Sequence, residues 1–199
     1  MNCDDNDLTA LLGSRICHDL ISPLGAIGNG VELLMMSGEA LGPEMALISQ
    51  SVQNANARIR FFRVAFGACS SGQRIGRAEI LGILDDLSRG ARLKTEWNGP
   101  AELPRGPVKL TFLALLCLET AMPYGGTIRV RADDEDWQID AEAQKMKIDP
   151  ELWGLVEGKQ ATTALAAAHV QFALLATEAR RQGLMLRLTR SDTQIKLQF

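Results

Sequence analysis

The chain has 199 residues, 46% of them hydrophobic, and a formal net charge of −3. This length allows one large or two small domains, and the composition is typical of a globular protein. The acidic balance argues against nucleic acid as a partner, because contacts with phosphates need a basic surface.

Signals for membranes, metals and disulfides are missing from the sequence. No apolar run approaches the roughly 20 residues that a membrane span needs, and the N-terminus is acidic where a secretory signal is basic. We therefore expect a cytoplasmic protein without a membrane partner. The cysteines form no Cys-x-x-Cys pair, and neither histidine has companions at ligand spacing. This pattern predicts no zinc site and no disulfide scaffold.

The first part of the chain predicts a helical hairpin. Helix one runs from about Asp5 to Met36, and helix two begins at about Pro43. Helix one has an apolar stripe at helical spacing: Leu12, Ile16, Leu20, Leu24, Ile27, Val31 and Leu34. Helix two has a heptad seam: Met45, Ile48, Val52, Ala55, Ile59, Phe62 and Phe66. Two helices cannot bury both stripes, so a second copy of the chain is expected to complete a four-helix bundle as a homodimer.

Residues 23–30 conflict with a continuous first helix. Pro23 costs about 3 kcal/mol inside a helix, and each of three glycines costs about 1 kcal/mol relative to alanine. These costs favour a loop. The apolar stripe continues in phase and favours a helix with a kink near His18. The residues alone leave both alternatives open.

His18 is the main candidate for a functional residue. At about 100° per residue it projects opposite the apolar stripe, among the polar residues Ser14, Arg15 and Ser22. An exposed histidine on a helix is usually only a surface residue. His169, in an alanine-rich helix, is most simply a packing histidine, and Cys17 is more simply a packing residue than a nucleophile.

The residues around His18 carry a resemblance to a known family. The stretch His18-Asp19-Leu20-Ile21-Ser22-Pro23-Leu24 resembles the H-box of two-component dimerisation domains, in which a histidine and an acid precede three residues, Pro and Leu. Together with residues 25–34 it is similar to the ChpT-type histidine phosphotransferases, most clearly over residues 10–70. The resemblance implies that His18 carries phosphate. Asp19 would orient the imidazole or act as a base, and Arg15 and Ser22 are possible supporting residues, with Arg15 balancing phosphate charge.

Shorter elements follow from about residue 73. The predicted helices cover residues 78–88, 108–122, 150–156 and 162–182, and the predicted strands cover 91–97, 127–132, 137–141, 185–189 and 194–199. This order resembles the ATP-binding α/β sandwich of histidine kinases, especially at Gly125-Gly126-Thr127-Ile128-Arg129-Val130. We expect an α+β fold, with a dimerisation and phosphotransfer domain over residues 1–72 and a degenerate ATPase-like domain over 73–199. The three tryptophans are expected to anchor the core of the sandwich.

The nucleotide motifs of those kinases are missing. The family holds magnesium and phosphates with an asparagine on the apolar helix, but no asparagine follows Asn98. It also uses an Asp-x-Gly-x-Gly loop, and no Gly-x-Gly occurs in the second domain. We interpret this domain as a shell that does not bind ATP and is retained for structure or docking.

The resemblance implies a phosphorelay protein. It would pass phosphate through His18 from the receiver of a CckA-type hybrid kinase to CtrA- and CpdR-type response regulators, and the receiver would supply the acyl phosphate and magnesium. Two alternatives remain at this stage, an ATP-dependent kinase with divergent motifs and a non-catalytic adaptor that binds receivers. The arginines at 58, 60 and 63 form a basic cluster that is either a solvated helix face or a docking site for an acidic receiver.

Overall fold

The structure is a computed structural model that describes residues 5–36, 43–70, 72–133, 136–160 and 164–199. The chain is α+β, as predicted, and divides into two compact units. The first comprises Met1–Cys69 and Gly82–Leu87, and the second comprises Ser70–Leu81 and Ser88–Phe199. None of the helices in the described residues combines the length and apolar content needed to cross a bilayer.

The first unit contains a hairpin of two long helices, α1 (Asp5–Met36) and α2 (Pro43–Ala65). Helix α1 continues without interruption through Pro23, so the loop alternative for residues 23–30 is wrong. One glycine lies close to α2, and another lies close to Phe66, the residue directly after α2. A Cβ on Gly13 would lie 3.3 Å from the Phe66 Cβ, and one on Gly28 would lie 3.5 Å from the Val52 Cγ1. Close helix packing therefore offsets part of the helix-propensity cost of these glycines. The predicted turn over residues 37–42 lies outside the described residues.

The predicted apolar stripe of α1 divides between two environments. Val31 is buried and Leu24 is half-buried. The other five side chains of the stripe remain 45–59% exposed: Leu12, Ile16, Leu20, Ile27 and Leu34. The α2-facing side of α1 is built largely from smaller residues, including Gly13, Cys17 and Gly28. One hairpin therefore leaves an apolar face of α1 uncovered.

The second unit is built on a five-stranded sheet. The strands of the chain are β1 (Arg74–Gly76), β2 (Leu93–Asn98), β3 (Glu102–Pro104), β4 (Gly126–Ala132), β5 (Trp137–Glu142), β6 (Arg187–Arg190) and β7 (Gln194–Gln198). The order in the main sheet is β2-β4-β5-β7-β6. Strands β2 and β4 are parallel, and the other neighbours are antiparallel. Strands β1 and β3 form a separate antiparallel pair. Both have three residues, too few to show a period in the sequence.

The remaining helices are α3 (Arg77–Ser88), α4 (Arg105–Ala121), α5 (Pro150–Val156) and α6 (Val170–Arg181). Helix α4 is buried along most of its length and contacts α6 and β5. All three tryptophans are buried in the core of this unit, as predicted. Trp97 and Trp137 pack edge to face, and Trp153 packs in the same way against Phe172.

Steric contacts explain the pair of glycines at the beginning of β4. Gly125 and Gly126 both have positive φ, 90° and 149°. A Cβ on Gly125 would collide with the carbonyl oxygen of Arg92, and one on Gly126 would collide with that of Glu142. Only glycine therefore fits at this entry into the sheet.

The prediction of a long helix over residues 162–182 is wrong at its beginning. Residues 164–166 are not helical, Ala167–His169 form one 3-10 turn, and α6 begins only at Val170. The side chains of residues 164–168 are exposed. Alanine has a high helix propensity, but a short helix without tertiary packing is marginal in water.

Candidate functional site

His18 lies in the first half of α1 with its side chain 83% exposed, as predicted. Its Nδ1 lies 3.1 Å from Asp19 Oδ1, within hydrogen-bond distance. Within the part of the chain that the structure describes, no protein group forms a hydrogen bond or ion pair with Nε2. One ring nitrogen is therefore held by the protein, and the other faces solvent.

Asp19 joins His18 to Arg15. Its Oδ1 contacts the imidazole, while its Oδ2 accepts a hydrogen bond from Arg15 Nε at 2.7 Å. Two hydrogen bonds lower the pKa of Asp19 below its ordinary value. The one with His18 has the larger effect, and the one from Arg15 comes second. Asp19 is therefore an ionised acceptor at neutral pH, and the predicted residues His18, Asp19 and Arg15 are brought together.

Three residues next to this group are Ser14, Cys17 and Ser22. In the described part of the chain, none of them has a hydrogen bond to the imidazole. Ser14 Oγ accepts a hydrogen bond from Ala68 N at 2.9 Å, which ties α1 to the segment after α2. Cys17 is buried, and burial raises the pKa of its thiol although the charge of Arg63 opposes this. Cys17 is thus a packing residue. Ser22 is exposed one turn after His18, and the structure does not connect it with the imidazole.

His169 belongs to a different environment. It is half-buried at the beginning of α6, and its ring centroid lies 6.5 Å from that of Phe172 in an edge-on arrangement. This packing agrees with the structural role predicted for His169. Among the described residues, no group of three His, Cys, Asp or Glu side chains is arranged to hold a metal ion.

Sequence reasoning missed two polar links between α4 and α6. Gln171 Nε2 donates a hydrogen bond to Thr120 Oγ1 at 3.1 Å. Toward the other end of the helix pair, Lys109 Nζ lies 3.3 Å from Glu178 Oε2. The available signal was the presence of polar residues within the otherwise apolar sequence of α4, since buried polar groups need partners.

Comparison with known proteins identifies the class of the chain. The family model described as histidine phosphotransferase C-terminal domain matches residues 77–194. The protein phosphotransferase ChpT of Brucella abortus (strain 2308) is 37% identical over 194 residues, which cover 94% of this chain and 92% of that protein. A solved structure of a bacterial phosphotransferase is 33% identical with a TM-score of 0.71, covering 100% of this chain and 98% of the other.

These matches define the class as phosphotransferase over essentially the whole chain. The chain belongs to the family of ChpT-type histidine phosphotransferases, as the resemblance in its sequence indicated.

Proposed function

We propose that the chain relays phosphoryl groups between receiver domains through a phosphohistidine at His18. The observation that carries this proposal is the His18–Asp19 pair, in which a carboxylate oxygen lies 3.1 Å from Nδ1 while the ring is 83% exposed. An exposed nucleophile suits a protein substrate, because the reacting phosphate arrives on the surface of another domain. Family membership supports the same reaction class.

The geometry supports a defined role for each atom. If Nδ1 carries the proton and donates a hydrogen bond to Asp19, Nε2 holds the free lone pair. Nε2 then attacks the phosphorus of a receiver's aspartyl phosphate in line. The P–N bond forms as the P–O bond to the aspartate breaks, and the aspartate leaves as a carboxylate. Asp19 stabilises the positive charge that develops on the imidazole. The reverse sequence of bond changes passes the phosphoryl group to a second receiver.

The resemblance to the ChpT-type family implies the partners in this reaction. The acyl phosphate and the magnesium ion that neutralises it belong to the receiver, so this chain contributes the nucleophile and a docking surface and needs no cofactor of its own. The proposed donor is the receiver of a CckA-type hybrid kinase. The proposed acceptors are CtrA- and CpdR-type response regulators.

We further propose that the functional unit is a homodimer with a four-helix bundle. The five exposed side chains of the α1 stripe, together with exposed Leu47 and Ile48 on α2, form apolar surface that one hairpin leaves in water. Contiguous apolar surface of this kind marks an interaction site. His18 is about 160–180° around α1 from Ile16, Leu20, Ile27 and Leu34, so self-association along the stripe leaves the imidazole accessible.

We also propose that the chain is a phosphocarrier and not an ATP-dependent kinase. The sequence has no asparagine on α4 and no Gly-x-Gly in the second unit.

The test is phosphotransfer from isolated, phosphorylated receivers. The wild-type chain should acquire an acid-labile phosphate and pass it to a second receiver. The His18→Ala variant should do neither while it still binds receivers, and His169→Ala should retain transfer as the matched control. Relay by folded His18→Ala would show that the reactive residue is another one. Binding of cognate receivers without transfer by the wild type would favour the adaptor function.

A further inference from the structure

Arg15 is the only lysine or arginine in α1, a helix of 32 residues. Its single guanidinium is directed to the carboxylate that touches His18, with Nε 2.7 Å from Asp19 Oδ2. The side chain of Arg15 is 75% exposed, so it contributes little packing at this position. The position of Arg15 beside Asp19 therefore points to a role in the site around His18.

Helix geometry explains what the contact does to Asp19. Neighbouring residues project about 100° apart on a helix, so the side chains of His18 and Asp19 do not face each other by default. Arg15 lies one turn earlier, about 40° around the helix from Asp19 and on the side toward His18. An ion pair with Arg15 therefore draws the carboxylate toward the imidazole. With Oδ2 occupied by Arg15, Oδ1 is left for His18 Nδ1.

We propose that Arg15 is a positioning residue that acts through Asp19 to keep the His18 proton on Nδ1 and the lone pair on Nε2. This inference rests on the proposed function, since it assigns the residue that prepares His18 for transfer. A free neutral imidazole favours the opposite tautomer, with the proton on Nε2. The Arg15–Asp19 pair therefore works against the intrinsic preference of the ring, and Nε2 becomes the nucleophile.

The tautomer of His18 provides a test that does not require phosphotransfer. Spectra of the full-length protein with ¹⁵N-labelled histidine distinguish protonated from unprotonated ring nitrogens, at a pH that keeps the imidazole neutral. The resonances of His18 are identified by their loss in His18→Ala. We expect the Nδ1–H form to dominate in the wild type and to give way to the Nε2–H form in Asp19→Ala. Arg15→Gln should shift the population in the same direction, and Arg15→Lys should restore part of it.

Two controls separate positioning from other effects. In an Asp19→Ala background, Arg15→Gln should cause no further change, because a residue that acts through Asp19 loses its effect when Asp19 is gone. Arg180→Gln makes the same change of charge at an exposed helical arginine in the other unit and should leave the tautomer of His18 unchanged.

The rate of phosphohistidine formation gives a second readout. Arg15→Gln should lower it about two- to five-fold, the scale of an exposed ion pair, and Arg15→Lys should recover most of the loss. An unchanged tautomer in Arg15→Gln would overturn the proposal, and a lowered rate in that case would assign Arg15 to the phosphate itself. Failure of the wild type to transfer phosphate would refute the proposed function, while the tautomer measurement would still decide the role of Arg15.

Discussion

Lys109 Nζ lies 3.3 Å from Glu178 Oε2, and both side chains are buried in the second unit. Glu178 also accepts hydrogen bonds from Arg181 Nη2 at 2.6 Å and from Gln182 Nε2 at 2.7 Å. Burial by itself would raise the pKa of Glu178. The hydrogen bonds from Arg181 and Gln182 and the charges of Lys109 and Arg181 outweigh it, and the pKa lies below its ordinary value.

The first prediction concerns acid stability. A carboxyl group whose pKa is lowered by folding stabilises the native state above its unfolded pKa of about 4.3, and this contribution is lost as the pH falls through the folded value. The free energy of unfolding should therefore fall as the pH drops below about 4.3, and the fall should be shallower in Glu178→Gln. Chemical denaturation across a pH series measures both slopes. Identical slopes would show that Glu178 is not ionised and paired in the native state.

The second prediction concerns the buried ion pair between Glu178 and Lys109. At neutral pH, Glu178→Gln leaves Lys109 buried without its counter-charge, and the free energy of unfolding should fall by about 3 kcal/mol. Adding Lys109→Met should recover a large part of this loss, because the double variant has no buried cation without a counter-charge, while Arg181, the other cation bound to Glu178, is 40% exposed to water. Additive losses in the double variant would mean that the two side chains do not interact.

The third prediction is that the second unit does not bind ATP. The sequence lacks the asparagine and the glycine-rich loop that the kinase family uses for nucleotide. Titration calorimetry with Mg-ATP should show no heat of binding, with an authentic histidine kinase as the positive control. Micromolar binding, or labelling of His18 by radioactive ATP without a partner, would place the chain among the kinases.

The sequence predicted secondary structure best where apolar residues repeat at helical spacing over many turns. The stripe of α1 continued in phase across Pro23, and the helix does as well, although most of the stripe stays exposed and smaller residues form the side that packs on α2. The alanine-rich run before Val170 had good helix propensity but no packing partner, and only a single 3-10 turn forms there. Local composition was therefore a poorer guide than periodicity at both sites.

The sequence nominated the residues of the candidate site but did not predict their arrangement. The motif around His18 selected His18, Asp19 and Arg15. The hydrogen bonds of His18 and Arg15 to separate oxygens of the Asp19 carboxylate depend on side-chain rotamers, which the sequence does not give. The link between Thr120 and Gln171 joins residues 51 positions apart. A single sequence contains no signal that pairs two such distant polar residues.

The fourth prediction concerns the cysteines at 17, 69 and 117. Cys17 and Cys117 are buried, and burial raises the pKa of both thiols, whereas Cys69 is half-buried. The thiolate is the reactive form, so alkylation of the native protein at mildly alkaline pH should, among these three cysteines, modify Cys69 first and Cys117 last. Mass spectrometry of the digested protein measures the order. Modification of Cys17 as fast as Cys69 would contradict the packing of α1 against α2 at Cys17.

The last prediction tests the proposed homodimer with two adjacent leucines on α1. Leu34 belongs to the uncovered apolar stripe and is 49% exposed, while Leu33 is 67% exposed and projects about 100° away from it. In a dimer that buries the stripe, Leu34→Glu would place a charge in the interface, whereas Leu33→Glu would leave it in water.

We therefore expect light scattering to show a dimer for the wild type and for Leu33→Glu at tens of micromolar protein, and a shift toward monomer for Leu34→Glu. Circular dichroism checks that each variant is folded. A monomeric wild type would remove the four-helix bundle from the proposal. Equal dissociation by the two substitutions would show that the interface is not centred on the stripe of Ile16, Leu20, Ile27 and Leu34.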